Sequence, residues 1–164
     1  MIEMQRKWQG EERAMLSKLL SEKLIKLNIE AKDWCDAIRQ SAQPLVLSNK
    51  VEARYVDAII DSVKESGPYI VITKHVAIPH ARSQMGVIET AIGVATLKEP
   101  VVFGNKENDP VKYIFCLSAK ENKEHLEALA ELADLLEDEN FYKVLDQATQ
   151  PKEILKYVSE KERR

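Results

Sequence analysis

Hydrophobic and polar residues follow two different periods in the first part of the chain. Across residues 25–30 they alternate one by one, which predicts a half-buried strand. Asp33 then begins a pattern of helical period, and Pro44 is expected to end or kink this helix. A second helix is predicted across residues 51–63, and Gly67-Pro68 should stop it. The inward-facing residues expected for the two helices are Trp34, Ala37, Ile38, Tyr55, Val56, Ile59, Ile60 and Val63.

Short apolar runs dominate the middle of the chain. Residues 69–72, 76–78, 90–97 and 112–117 predict strands, and a turn-rich segment, FGNKENDP, joins the last two. Strands enclosed by early and late helices are typical of layered α/β domains. We therefore predict an α/β fold in which a mixed β-sheet is sandwiched between helical layers.

The last part of the chain is helical again. A helix is predicted after Glu121, with a wide apolar face, and another after Pro151, a residue that suits a first helical position. Residues 137–139 are interpreted as a solvated acidic turn between them. The predicted domain covers residues 15–164, and residues 1–14 are interpreted as an N-terminal extension. The apolar face of the helix after Glu121 is expected to contain Leu126, Leu129, Ala130, Leu132, Ala133 and Leu136.

Composition narrows the possible classes of protein. The 164 residues suffice for one domain, and the net charge of -3 argues against a nucleic-acid binder. A charged N-terminus without an apolar core and the lack of any long apolar run predict a cytoplasmic protein. The two cysteines, Cys35 and Cys116, form no CxxC pair and are expected to be free thiols. No cofactor is expected, because neither a Walker loop nor a Gly-rich dinucleotide motif is present.

His80 is the strongest candidate for chemistry among the three histidines. It follows Pro79 at the end of a short apolar run, in VAIPHAR, and small Ala81 leaves the approach open. Neutral imidazole is a good nucleophile because its ordinary pKa is about 6.5. The chemistry that fits is phosphoryl transfer to a ring nitrogen, with Arg82 supplying positive charge for the transferred group. The competing interpretation is an ordinary surface or capping histidine.

The other candidate residues have weaker signals. His125 could assist if the first turn of its helix faces His80, although a partly exposed helix histidine is the plainer interpretation. His75 is expected to be a surface residue. Zinc binding by the three histidines is open in principle, but no recognised ligand spacing supports it. Cys116, within an apolar run, is expected to be a buried thiol rather than a nucleophile.

Several segments occur in the order found in one known family. The segments VAIPHAR and KEHLEALAELADLL resemble the fructose–mannitol type of IIA domain of the phosphoenolpyruvate-dependent sugar phosphotransferase system. The ordered series that also includes GPYIVI, PVVFG and NDPVKYIFCLSA is similar to the ascorbate-type branch. The resemblance covers nearly the whole chain from Met15 onwards.

This resemblance implies a function. His80 matches the phosphorylated histidine of the family, and His125 matches a second active-site histidine that assists. The phosphocarrier HPr would donate the phosphoryl group, a IIB component would accept it on cysteine, and a membrane IIC component would move the sugar. No metal or nucleotide is implied, and a homo-oligomer is left open. A regulatory IIA-like protein and a non-catalytic binding domain are the alternatives.

Two departures from the family pattern bear on the site. Mannitol-type relatives carry an arginine on the helix before GPY, where this chain reads Asp-Ser-Val-Lys. Two outcomes are open: the role of this arginine is lost, or it passes to Lys64 or Arg82. Ascorbate-type relatives usually have Pro-Gly where Lys74-His75 stands here. A partner surface around His80 is also expected, with exposed apolar candidates Val76, Ile78, Met85 and Val87.

Overall fold

The computed structural model describes residues 15–163, so the predicted extension 1–14 lies outside the described residues. In the described part of the chain no helix is long and apolar enough to cross a membrane. The helices are α1 Met15–Leu19, α2 Trp34–Leu47, α3 Ala53–Ser66, α4 Asn122–Leu136, α5 Glu139–Gln147 and α6 Pro151–Glu162. The strands are β1 Ile25–Ile29, β2 Val71–Thr73, β3 Val76–Ala77, β4 Ala91–Val101 and β5 Val111–Ser118.

The five strands form one mixed sheet in the order β1-β4-β5-β3-β2. Strands β1 and β4 are parallel, as are β3 and β5, whereas β4 pairs with β5 and β2 with β3 in antiparallel fashion. The register of the parallel β3–β5 pair places Ala77 opposite Ile114. This pair positions the site, because the chain continues from β3 directly to His80.

Successive residues of β5 point to opposite faces of the sheet and define two cores. Ile114 and Cys116 pack with α2 and α3, whereas Phe115 and Leu117 pack with α4, α5 and α6. Helices therefore cover both faces of the sheet, as the sequence predicts.

Helix α2 begins as predicted but does not end at Pro44. The Asp33 side chain accepts a hydrogen bond from the Asp36 N–H and caps the helix. The helix then continues through Pro44 to Leu47, and the Ser48 N–H donates to the Pro44 carbonyl at 3.0 Å. Pro44 and Leu45 are both buried, so packing offsets the one helical hydrogen bond that proline cannot donate.

Helix α4 packs through a narrower face than the sequence predicts. Leu126 is 66% exposed, and Ala130 and Ala133 are exposed as well. The face is also less apolar than predicted: Glu131 is buried, and its carboxylate accepts a hydrogen bond from the Leu16 N–H of α1 at 2.9 Å. The buried apolar residues of α4 are Ala128, Leu132, Leu135 and Leu136.

The interpretation of residues 137–139 as a simple acidic turn is wrong. Asp138 is the N-cap of α5 and accepts hydrogen bonds from the Asn140 N–H and from Lys161 Nζ. Helix α5 then buries Phe141 and Leu145 against the sheet. The acidic residue therefore ties the start of one helix to the last helix of the chain.

Candidate functional site

A cavity of about 980 Å³ lies beside the segment that follows β3. Helix α3 and the start of α4 supply the other walls. His80, Arg82 and His125 all line it. Three of the four site residues predicted from the sequence are thus brought into one cavity.

His80 is half-buried and is held by main-chain contacts on its N-terminal side. The Leu117 N–H donates to the Pro79 carbonyl at 2.9 Å, which extends the β3–β5 ladder beyond the strand itself. His80 Nδ1 lies 2.7 Å from the Ile78 carbonyl oxygen. A carbonyl oxygen only accepts, so Nδ1 carries the proton and donates it. In the neutral ring, Nε2 is then the unprotonated nitrogen with a free lone pair.

His125 lies in the first turn of α4, and its ring faces that of His80. The two ring centroids are 5.1 Å apart, with an interplanar angle of 52°. Burial lowers the pKa of His125, and the neighbouring His80 lowers it further. The His125 ring is therefore neutral at neutral pH, with one nitrogen that donates and one that accepts.

The charges around the two histidines are mixed. Asp61 and Glu65 from α3 line the cavity together with Glu121, which precedes α4. Arg82 is exposed, and among the described residues that line the cavity it is the one with a permanent positive charge. Arg82 is therefore the candidate charge partner for an anionic group bound in the cavity.

Comparison with known proteins decides the family. Residues 18–161 match the model of the phosphoenolpyruvate-dependent sugar phosphotransferase system, EIIA 2. The chain belongs to this EIIA family. It is a IIA component of a sugar phosphotransferase system, as its sequence resemblance predicts, and its mixed α/β fold is that of the family.

Individual relatives cover most of this IIA chain. It is 35% identical to the ascorbate-specific PTS system EIIA component of Shigella boydii, over 85% of this chain and 92% of the relative. The mannitol-specific cryptic enzyme IIA CmtB of Escherichia coli is 34% identical, with a TM-score of 0.79 over 89% of this chain and 99% of that one. An Escherichia coli enzyme IIA of mannitol type, solved in complex with phosphorylated enzyme IIB, is 27% identical, with a TM-score of 0.75 over 85% and 96% of the two chains.

Helix α3 supplies a hydroxyl rather than a cation to the cavity of this IIA chain. Lys64 is exposed and does not line the cavity, so the structure gives it no contact with the site. Ser62 faces the cavity instead, and its Oγ lies 3.0 Å from the Tyr69 hydroxyl. The Tyr69 ring meets His80 edge-on, with centroids 5.8 Å apart. Neither residue was predicted, although a tyrosine directly after a helix stop in GPY was an available signal.

Tyr55 also reaches the site, although the sequence indicates only that it belongs to the buried face of α3. Its hydroxyl donates to the Leu117 carbonyl at 2.7 Å and accepts from the Ala81 N–H at 3.0 Å. A buried tyrosine hydroxyl needs such partners, but the sequence does not reveal which main-chain groups they are.

The expected apolar partner surface is only partly correct. Val76 and Ile78 are 0% and 1% exposed and belong to the core under α4, so both predictions are wrong. Met85 is 42% exposed and lines the cavity, whereas Val87 is half-buried. Val76 and Ile78 are buried rather than exposed because their side chains lie on the sheet face that α4, α5 and α6 cover. The other large exposed apolar residues of the described chain are Leu47, Tyr69, Ile72, Ile88, Val102 and Leu126, and of these Tyr69 lines the cavity.

His75 lies apart from this site. It is exposed in the turn between β2 and β3, with a φ of 69°, and Nδ1 lies 2.8 Å from the Pro110 carbonyl oxygen. It is absent from the cavity lining. Within residues 15–163, no three His, Cys, Asp or Glu side chains are grouped to hold a metal ion. Cys116 is fully buried, and burial raises its thiol pKa to about 12.

The segment beyond Arg82 is fastened to the region before α3. The Glu52 N–H donates to the Gly86 carbonyl at 2.7 Å, and Val51 forms an isolated antiparallel bridge with Val87. The N–H groups of Ile88 and Glu89 both donate to the Lys50 carbonyl, at 2.9 and 3.0 Å. We call residues 83–89 the rim of the cavity.

Proposed function

We propose that this IIA component carries a phosphoryl group on His80, receiving it from phospho-HPr and passing it to a cysteine of a IIB component. The observation that carries the proposal is the orientation of His80. The Nδ1–H is engaged by the Ile78 carbonyl, which leaves Nε2 as the nucleophile beside His125.

The proposed transfer consists of two displacements at phosphorus. In the first, the Nε2 lone pair of His80 attacks the phosphorus of phosphohistidine on HPr. A new N–P bond forms, and the N–P bond of HPr breaks with its electron pair returning to the HPr ring. In the second, a IIB thiolate attacks phosphorus, and the N–P bond of His80 breaks. His80 leaves as a neutral imidazole because Nδ1 keeps its proton throughout.

His125 and Arg82 act on the transferred group rather than forming bonds to it. A neutral His125 can donate one N–H to a phosphoryl oxygen while adding no charge to the resting site. Arg82 offsets part of the negative charge, roughly -1.5 to -2 on a phosphoryl group at neutral pH. Lys64 has no part in this proposal, because it does not line the cavity.

The substrate assignment rests on relatives. IIA components do not bind the sugar themselves, which a membrane IIC component moves. The 35% identity to ascorbate-specific EIIA favours L-ascorbate as the transported carbohydrate. The solved complex of a related IIA with phosphorylated IIB supports a IIB protein as acceptor. We expect the cycle to run in the cytoplasm.

The proposal is tested with the purified full chain, the general phosphotransferase proteins and labelled phosphoenolpyruvate. The wild-type protein and His75→Ala should take up acid-labile phosphate, whereas His80→Ala should take up none. Full labelling of His80→Ala would show that another residue is the acceptor. Labelled wild-type protein should then lose its phosphate to an ascorbate-type IIB protein, and retention of the label would refute the acceptor assignment.

A further inference from the structure

The chain from β3 to Ala81 runs parallel to β5 and pairs with it. At His80 a side chain from another element is inserted between the two segments and replaces one of their main-chain hydrogen bonds. Continuing the register from Ala77 and Ile114 places His80 opposite Leu117. In a regular parallel ladder, the Leu117 N–H would donate to the Pro79 carbonyl and the Ala81 N–H to the Leu117 carbonyl. The first of these bonds is present at 2.9 Å. The second is replaced by a bridge through another residue.

That residue is Tyr55 of α3. The Ala81 N–H donates to the Tyr55 hydroxyl at 3.0 Å, and the hydroxyl donates to the Leu117 carbonyl at 2.7 Å. The Ala81 carbonyl lies farther from the hydroxyl, at 3.2 Å. The Tyr55 side chain is fully buried, and burial raises its pKa, so the hydroxyl keeps its proton and its role as a donor. The Tyr55 hydroxyl oxygen therefore bridges the segment that carries His80 and strand β5.

The bridge fixes the main chain on both sides of His80. Pro79 is bound directly to Leu117, and Ala81 is bound to the same residue through Tyr55. Leu117 also belongs to β5, from which residues 119–121 lead into α4 and His125. The Tyr55 hydroxyl thus sets the separation between the segment carrying His80 and the segment leading to His125.

We propose that Tyr55 is a positioning residue for phosphoryl transfer, holding the His80 ring at its working distance from His125 through the Ala81–Leu117 bridge. This inference rests on the function proposed for His80. Without the hydroxyl, either the Ala81 N–H and the Leu117 carbonyl lose their partner, or they pair directly and close the opening. In both cases the His80 backbone moves relative to α4, and misplacement by about 1 Å can slow a reaction roughly 100-fold.

The test is Tyr55→Phe, which keeps the ring and removes the bridging oxygen. Tyr142→Phe is the matched control, because its hydroxyl also donates to a main-chain carbonyl, that of Leu136 at 2.6 Å, away from the cavity. Two readouts are compared: the rate of phosphorylation by phospho-HPr, and the imidazole ¹⁵N signals of His80 and His125 in the unphosphorylated proteins. We expect Tyr55→Phe to lower the rate roughly 10- to 100-fold and to shift both sets of signals, whereas Tyr142→Phe changes neither.

The inference is overturned if Tyr55→Phe is phosphorylated at the wild-type rate and its imidazole ¹⁵N signals do not shift. It is also overturned if Tyr55→Phe and Tyr142→Phe lose phosphorylation rate equally. If the wild-type protein is not phosphorylated at all, the proposed function fails, and the ¹⁵N comparison still decides whether Tyr55 positions the rings. Hydrogen exchange of the wild-type protein tests the bridge without any variant. The Ala81 amide should be protected to the level of the Leu117 amide, and exchange at the rate of an open loop would overturn the inference.

Discussion

His80 Nδ1 lies 2.7 Å from the carbonyl oxygen of Ile78, so the ring is oriented by a residue of its own chain segment. The intervening Pro79 is buried and has a fixed φ, which limits how this three-residue unit can move. The contact assigns the two ring nitrogens different tasks. One is tied to the main chain, and the other is left for reaction.

The first prediction concerns which nitrogen carries phosphate. Because Nδ1 donates its proton to Ile78, we expect the phosphoryl group on Nε2. Two-dimensional ¹H–¹⁵N spectra of the phosphorylated protein distinguish the two isomers. A phosphoryl group on Nδ1 would mean that the ring turns away from Ile78 before it reacts.

The second prediction concerns His125. Its N–H contact with a phosphoryl oxygen should strengthen in the transition state and so act on rate. His125→Ala should slow onward transfer to IIB roughly 100-fold and reduce the final extent of His80 phosphorylation much less. Rapid-quench kinetics of both half-reactions measure this difference. A loss in the final extent of phosphorylation as large as the loss in transfer rate would indicate a general effect on the site instead.

A third prediction follows from the depressed pKa of His125. Burial disfavours the imidazolium form, and so does the neighbouring His80. The pKa of His125 should therefore lie below the ordinary value of about 6.5 in an NMR titration of the free protein. Removing the neighbour in His80→Gln should raise it, and phosphorylating His80 should raise it because the added charge is negative. A value of about 6.5 or higher in the free protein would contradict the prediction.

A fourth prediction concerns Arg82. Asp61 and Glu65 also line the cavity, so loss of the cation leaves their negative charge unopposed. Arg82→Ala should slow transfer roughly 10- to 100-fold without changing the thermal unfolding midpoint, and the effect should be larger at low salt. Arg39→Ala is the control, since Arg39 pairs with Asp57 on an exposed surface at 3.2 Å. Normal transfer by Arg82→Ala would show that main-chain donors suffice.

The sheet and most helices were predictable because their periods are local. The buried residues of α3 follow the helical spacing, and Gly67, with φ of 87°, ends that helix where the sequence indicates. Helix α5 was missed because its N-cap, Asp138, resembles part of a solvated acidic run. Its partners, Tyr157 and Lys161, come from the following helix, and such long-range contacts leave no local signal.

A fifth prediction tests the packing that the sequence did not indicate. Phe141 of α5 is 1% exposed and lies between Phe115 and Tyr157, with ring centroids 6.1 and 5.8 Å away. Phe141→Ala should lower the free energy of unfolding by about 3–5 kcal/mol. Leu126→Ala, at a position predicted as core but 66% exposed, should change it by less than about 0.5 kcal/mol. Urea unfolding of both variants measures the contrast. Similar losses of unfolding free energy in the two variants would contradict the burial of Phe141 or the exposure of Leu126.

The candidate site was predictable only where residue type carries the chemistry. His80 and His125 stand out as imidazoles in recognisable segments. Tyr55 and Ser62 do not stand out, because their roles depend on contacts made only in the folded chain. The Tyr55 hydroxyl contacts the main chain of Leu117, and the Ser62 hydroxyl contacts that of Tyr69. Lys64 was selected for its charge and its proximity in sequence to the expected arginine, but its position on α3 keeps it outside the cavity.

The rim of the cavity is already ordered in the free protein, through the Lys50 and Glu52 contacts and the Val51–Val87 bridge. A protein that docks over His80 therefore has little backbone left to immobilise there, and association loses less conformational entropy than with a mobile loop. Since no folding step has to precede docking, encounter is not delayed by rearrangement of this edge. The proposed carrier, which must release one partner and meet another in each turnover, can then exchange them at a pace set by diffusion and dissociation.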